Sequence, residues 1–304
     1  GDAGVSPGVE QVDDDAIASL IVVASSVGSG QITVYDAETG AIGPAPGTGG
    51  AVVGVAVSPD GRKAYVAGDG SPAQLRIVDL ASSTIEGSVD LPGSAGGVAV
   101  TPDGRTAYVP IESDDKLVAI DLASRSISPT TFATGGTPRA IVLSPSGTTA
   151  YVANSSTNNV AIIDLTGATA PVLVGGGGLD RPEALAITPD GSKVYAPSFG
   201  GGSGGTKVLP IDTATRTALP SFTGGTTVTG VVVDPSGAAA YVVARDSDEL
   251  RVVRTADDTV QQTIPLGGLG PSRVVVTADG RHLIVTSRDG SAVRRYALPG
   301  LAQE

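Results

Sequence analysis

The chain has 304 residues, with 31 Asp and Glu against 19 Lys and Arg for a net charge of −12, no Cys, Met or Trp, and a single histidine, His282. These totals exclude disulfides, thiolate chemistry, multi-histidine metal centres and an indole stacking platform. They also argue against nucleic acid as a partner, since phosphate binding needs concentrated Lys and Arg.

Forty-three Gly, 21 Pro and only 3% aromatic residues suit many short strands joined by turns, around a core of Val, Ile, Leu and Ala. Apolar runs stop at about five or six residues, far short of the ~20 that cross a bilayer, so no membrane-spanning helix is expected. The chain opens GDAGVSPG without an initiator Met, which reads as the start of a mature exported protein, extracellular or at the cell surface.

The first predicted strands are LIVVASS (20–26) and QITVYD (31–36), preceded by Asp13, Asp14 and Asp15 as a charged terminal arm. At 58–68 stands SPDGRKAYVAG, a turn followed at once by a strand. It returns as TPDGRTAYVP (101–110), SPSGTTAYVAN (144–154), TPDGSKVYAPS (188–198) and DPSGAAAYVVA (234–244), with a worn copy TADGRHLIVTS at 277–287. The turn positions Pro59, Pro102, Pro145, Pro189, Pro235 and Ala278 are 43, 43, 44, 46 and 43 residues apart. Proline presets φ and glycine takes the left-handed conformation that closes the hairpin.

A third strand follows in each copy (LRIVD, LVAID, VAIID, KVLPID), ending in Asp79, Asp121, Asp164 and Asp212 before a Ser- or Thr-bearing turn. A fourth, weaker strand then leads into a Gly/Pro linker. Four strands of about 43 residues cannot bury both faces alone, and stacking them radially does so. Counting back one period from Pro59 reaches Ala16 and adds a degenerate first unit. The reading is therefore all-β, one seven-bladed β-propeller of four-stranded antiparallel blades. The blades fall at about 10–50, 51–93, 94–136, 137–178, 179–225, 226–268 and 269–304. Residues 3–12 are expected to pair with the last blade and close the ring.

At YVAN (151–154) followed by NNVAIIDL, the units resemble the YVTN β-propeller repeat, over about residues 20–298. That resemblance implies a propeller of bacterial or archaeal surface-layer and secreted proteins, often used for binding. More distantly the chain is similar to lactonase-like propellers and quinoprotein dehydrogenase subunits, none of whose catalytic motifs is matched.

The turns are nearly constant between copies, whereas the loops between second and third strands vary, so recognition is expected on the loop face. Arg139, Arg181, Glu183 and Arg273 in the linkers near the channel mouth, with Phe199, Asn154 and Asn158 in the loops, are the candidate ligand contacts. Arginine suits an anion, although an inter-blade salt bridge explains the same residues. Glu112, Asp114, Asp115, Asp246, Asp248 and Glu249 are the candidate oxygen ligands for a hard cation such as Ca²⁺; otherwise no cofactor is expected. The glycines of SFGGGSGGTK lack phosphate-loop order, and no serine lies in a nucleophile elbow. The leading expectation is a non-enzymatic exported module binding a protein, glycan or cell-surface component. The alternatives are a lactonase- or lyase-like enzyme at the channel mouth, with or without a divalent cation, and an architectural surface-layer unit. A pocket joining Arg139, Glu183 or Arg273 with an acid favours the enzyme.

Overall fold

The computed structural model describes residues 20–25, 31–36, 39, 43, 51–200, 205–287 and 292–303. Leu20–Ser25 pairs with Gln31–Asp36 as the described part of the first blade. The second blade is Ala51–Val57, Lys63–Asp69, Gln74–Asp79 and Thr84–Asp90; the third is Ala99–Val100, Thr106–Ile111, Lys116–Asp121 and Ser126–Ala133. The fourth is Pro138–Leu143, Thr149–Asn154, Asn159–Asp164 and Val172–Gly175. In the fifth, Ala186–Ile187, Lys193–Pro197 and Lys207–Asp212 are followed by an outer edge in two pieces, Thr217–Ala218 and Phe222–Thr223. Pro220, which has no N–H to give a ladder, falls in the gap.

The sixth blade is Val228–Val233, Ala239–Ala244, Glu249–Arg254 and Thr259–Pro265; the last is Pro271–Val276, His282–Ser287, Val293–Ala297 and Ala302–Gln303. All pairings are antiparallel between neighbours in sequence, apart from the divided fifth edge. The expected pairing of residues 3–12 with the last blade lies outside the described residues. No helix is long and apolar enough to cross a membrane among the described residues.

Apolar residues on the faces of successive sheets form the core. Leu75, Ile77, Val109 and Ile120 pack between the second and third blades, and Ile162, Leu209 and Ile211 between the fourth and fifth. Of the repeat tyrosines, Tyr65, Tyr151, Tyr195 and Tyr241 are buried in the seams and Tyr108 is half-buried.

The constant turn has a consistent internal chemistry. Thr188 Oγ1 donates to Asp190 Oδ1 (2.6 Å), the same oxygen accepts Ser192 N–H (3.0 Å), and Lys193 N–H donates to Thr188 Oγ1 (3.0 Å). Ser58–Asp60, Thr101–Asp103 and Thr277–Asp279 repeat the arrangement. These donors stabilise the carboxylate form and hold Asp190 down to about 2.

Five of the turn glycines also lie under the proline of the preceding blade. Gly104 faces Pro59, Gly147 faces Pro102, Gly191 faces Pro145, Gly237 faces Pro189 and Gly280 faces Pro235. At Gly147, φ is +71° and an added Cβ would meet Pro102 Cδ at 2.8 Å. Gly147→Ala therefore combines a left-handed alanine with a clash in the seam. A loss of about 2 kcal/mol or more in urea unfolding is expected; a loss below ~0.5 kcal/mol would show that the seam has slack.

A second set of clasps joins neighbours at the turn after the third strand. Ser83, Arg125, Arg216 and Asp258 occupy equivalent places, with φ of 54°, 55°, 56° and 58°. Arg125 Nη1 donates to Glu86 O of the preceding blade (3.2 Å). Asp258 reaches the fifth blade, where Lys193 Nζ donates to both of its carboxylate oxygens at 2.9 Å and the Tyr195 hydroxyl donates to Oδ1 at 2.6 Å. Burial and the nearby carboxylate hold the Tyr195 phenol far above its usual range. A cleft of about 330 Å³ opens beside this clasp, lined by Asp190, Lys193, Ser236 and Thr255. Its charged groups are already engaged, so it reads as a seam.

Near the channel the inner strands approach backbone to backbone. Gly97 N–H donates to Arg139 O across a seam (2.6 Å), and a Cβ on Gly54 would stand 2.7 Å from Gly97 Cα. The repeat puts Gly54, Gly97, Ala140, Ala184 and Gly230 at this position, and Arg273 in the last blade. One residue earlier the ladder shifts register around Val53, Arg139, Thr229 and Ser272. Such bulges re-aim side chains, here beside the channel.

Candidate functional site

The bulge at Arg139 and the start of the third blade's variable loop bring two opposite charges together. Arg139 Nη1 lies 2.9 Å from Glu112 Oε1, and the Glu112 side chain is 14% exposed against 43% for Arg139. The contact is an ion pair without hydrogen-bond alignment, and Glu112 Oε1 is buried with no hydrogen-bond donor among the described residues. Burial pushes the Glu112 carboxyl above its ordinary value; Arg139 pulls it back, and the charges of Asp69 and Glu183 add to the rise. The result is a mostly buried carboxylate with a raised pKa beside a partly exposed cation.

Glu183 is the inner-strand counterpart of Arg139 one blade on. Its Oε1 accepts Arg181 Nη2 at 3.3 Å, and its charge is felt by both Glu112 and Arg273. Arg273 is surrounded by protein and yet exposed. Both hold for a side chain standing in a channel, where access to water governs how its charge is screened. Crowding draws the Arg273 pKa below the usual arginine range, and Glu183 draws it back up. Its Nη1 donates to Thr229 O (2.9 Å) and Ser272 O (3.3 Å). Arg139 thus pairs with Glu112, an acid weighed from sequence only as a metal ligand, and Arg181 with Glu183; Arg273, and Asp69, which the sequence reading missed, are linked to them through charge alone. The signal for Asp69 was its place at the start of the variable loop GDGSPAQ.

The remaining candidates have other partners. Phe199 is half-buried, with the Arg181 and Arg245 guanidiniums 5.6 and 5.2 Å from its ring centre. Its π-face engages these cations, a contact worth about 0.5–2 kcal/mol. Asn154 is fully buried, with Nδ2 donating to Asn159 Oδ1 at 2.7 Å, so it presents no surface to a ligand.

Asn158, Asp115 and Asp248 occupy equivalent loop places with φ of 54°, 53° and 51°. Asn158 accepts Arg181 N–H (2.8 Å), Asp115 accepts Thr137 N–H (2.9 Å), and Asp248 accepts Gly270 N–H (2.8 Å) as well as Gly268 N–H. These three side chains bracket the linker to the next blade. Asp246 bonds Arg245 (2.8 Å) and Thr227 (2.6 Å), Glu249 pairs with Arg251 (2.7 Å), and Asp114 accepts Ser113 Oγ (3.1 Å). Among the described residues no three acids converge as a cation cage. The physical reason is that linker N–H groups and arginines take the oxygens that a Ca²⁺ ion would need.

A family model described as a seven-bladed lactonase β-propeller matches residues 21–173, a span that includes Glu112 and Arg139. No curated protein sequence matches the chain. Among solved structures, Kuenenia stuttgartiensis hydrazine synthase is similar, with a TM-score of 0.56 and 19% identity over 83% of this chain and 96% of that one. At that identity the likeness is one of fold alone. With 1800 solved chains matching, shape by itself says nothing of the reaction.

Proposed function

The chain belongs to the seven-bladed lactonase β-propeller family, and on that premise we propose that it hydrolyses the ring ester of a lactone at the channel mouth. Glu112 serves as general base and Arg139 as the cation beside the reacting carbonyl. Water attacks the carbonyl carbon while the Glu112 carboxylate takes its proton. The carbonyl electron pair moves to oxygen, and the resulting oxyanion lies against the Arg139 guanidinium. Collapse restores the carbonyl and breaks the ring C–O bond, and the departing alkoxide takes the proton back from Glu112. The product is a hydroxy acid.

One observation carries the reading: Glu112 is a mostly buried carboxylate, raised in pKa, 2.9 Å from an arginine in the mouth. A mostly buried acid whose pKa stays raised even with Arg139 beside it costs stability, and a proton-accepting role gives that cost a use. For that reason we favour hydrolysis over the non-enzymatic binding module and the surface-layer unit. Proton release at constant pH, measured over γ- and δ-lactones of graded size and polarity, tests it. Turnover of at least one class above the buffer rate is expected; none across the panel would remove the proposal.

A further inference from the structure

In five described blades the inner-strand position beside the seam is small, as Gly54, Gly97, Ala140, Ala184 and Gly230; in the last it is Arg273. The other five described blades close without a long cation here. Its side chain stands exposed in the channel. Arg139, Arg181 and Arg245 at the mouth are each in contact with a carboxylate, on Glu112, Glu183 and Asp246 respectively. Arg273 has no such ion pair among the described residues, and its hydrogen bonds there, to Thr229 O and Ser272 O, use Nη1 alone. Nε and Nη2 remain as a donor pair in the fork geometry that suits a carboxylate. Thr229 fixes the guanidinium from the neighbouring blade: its carbonyl accepts Nη1, and its own Oγ1 donates to Pro271 O at 3.0 Å.

We infer that Arg273 is a carboxylate-holding residue of the channel, and that the anion it takes is the carboxylate of the hydroxy acid formed by ring opening. The identity of the anion rests on the hydrolysis proposed above; the presence of an anion site does not. A carboxylate held by Arg273 is no longer left beside Glu112, whose charge repels it. Product release then limits turnover, and the hydroxy acid competes with substrate.

The test is calorimetric titration of the whole chain with 4-hydroxybutyrate and 6-hydroxyhexanoate, with 1,4-butanediol and chloride at matched ionic strength as controls. Wild type is expected to bind the hydroxy acids and not the diol. Arg273→Ala is expected to weaken this by about ten- to a hundredfold, and Arg273→Lys to keep part of it. The alanine variant returns the position to the residue of Ala140 and Ala184 and loses only the bonds to Thr229 O and Ser272 O, so its melting temperature is expected to fall by a few degrees at most, which separates lost binding from lost fold. Equal affinity in Arg273→Ala, or no binding by wild type, overturns the inference. Arginine-dependent binding without lactone turnover would leave the anion site standing and remove the hydrolysis. Turnover with product inhibition unchanged in Arg273→Ala would do the reverse.

Discussion

Glu112→Gln is expected to lower lactone turnover by about a hundred- to ten-thousandfold, the usual value of a positioned general base, with no loss of melting temperature. Glutamine keeps the shape and cannot take a proton from water. Folding should tolerate it because burial raises the Glu112 pKa, which makes the charged form the costly one at neutral pH. The lost contact to Arg139 is partly offset because that guanidinium is 43% exposed and returns to water.

The pH profile gives a second readout. The base must be ionised, so the rate should fall as pH drops through a value above the 4.5 of an ordinary glutamate. Arg139 is the one cation pulling that value down, so Arg139→Met should move the falling limb to still higher pH while also lowering the plateau. A full rate in Glu112→Gln, or a limb that Arg139→Met leaves in place, would assign the chemistry elsewhere.

Asp258→Ala is expected to cost the most stability of any single surface-turn change, about 3–5 kcal/mol in urea unfolding. The carboxylate is 14% exposed and its partner Lys193 16%, so the pair is screened little by water. Removing the acid strands an ammonium whose remaining partner is Thr255 O at 2.7 Å, and leaves the Tyr195 hydroxyl without its acceptor. Alanine also fits poorly at a φ of 58°. Asp258→Asn keeps the left-handed tolerance and an acceptor and should lose less. Adding Lys193→Met to Asp258→Asn should recover part of the loss, since no bare charge then remains. If Asp258→Ala cost under ~1 kcal/mol, the clasp between the fifth and sixth blades would be solvated in a way the 2.6–2.9 Å contacts do not suggest.

The architecture was legible because a repeat multiplies weak signals. One S-P-D-G is a turn; five in phase, each followed by an apolar strand and a tyrosine, prescribe a stack of sheets. Even the use of the turn glycines was half visible: their left-handed φ follows from the turn type, although their fit beneath the preceding proline does not. The candidate site was legible as residue types in the right linkers. The partners of those residues were not legible wherever a side chain's contact lay one blade away. Asn158, Asp115 and Asp248 looked like contacts or ligands and instead hold linker N–H groups. Phe199 looked like a free aromatic and instead lies against two arginines. Glu112 looked like one acid of a loop run and proved to be the buried partner of Arg139.

What the sequence determined by itself was therefore periodic: strand length, turn chemistry, and a core of small aliphatic residues shared between sheets. All of these depend on interactions within a unit, or between units that are copies of each other. Only the tertiary structure decided which non-repeating charges meet, because the pairs Arg139–Glu112 and Lys193–Asp258 form across seams, 27 and 65 residues apart. Local pattern holds no information on such distances; the closing angle of the wheel does.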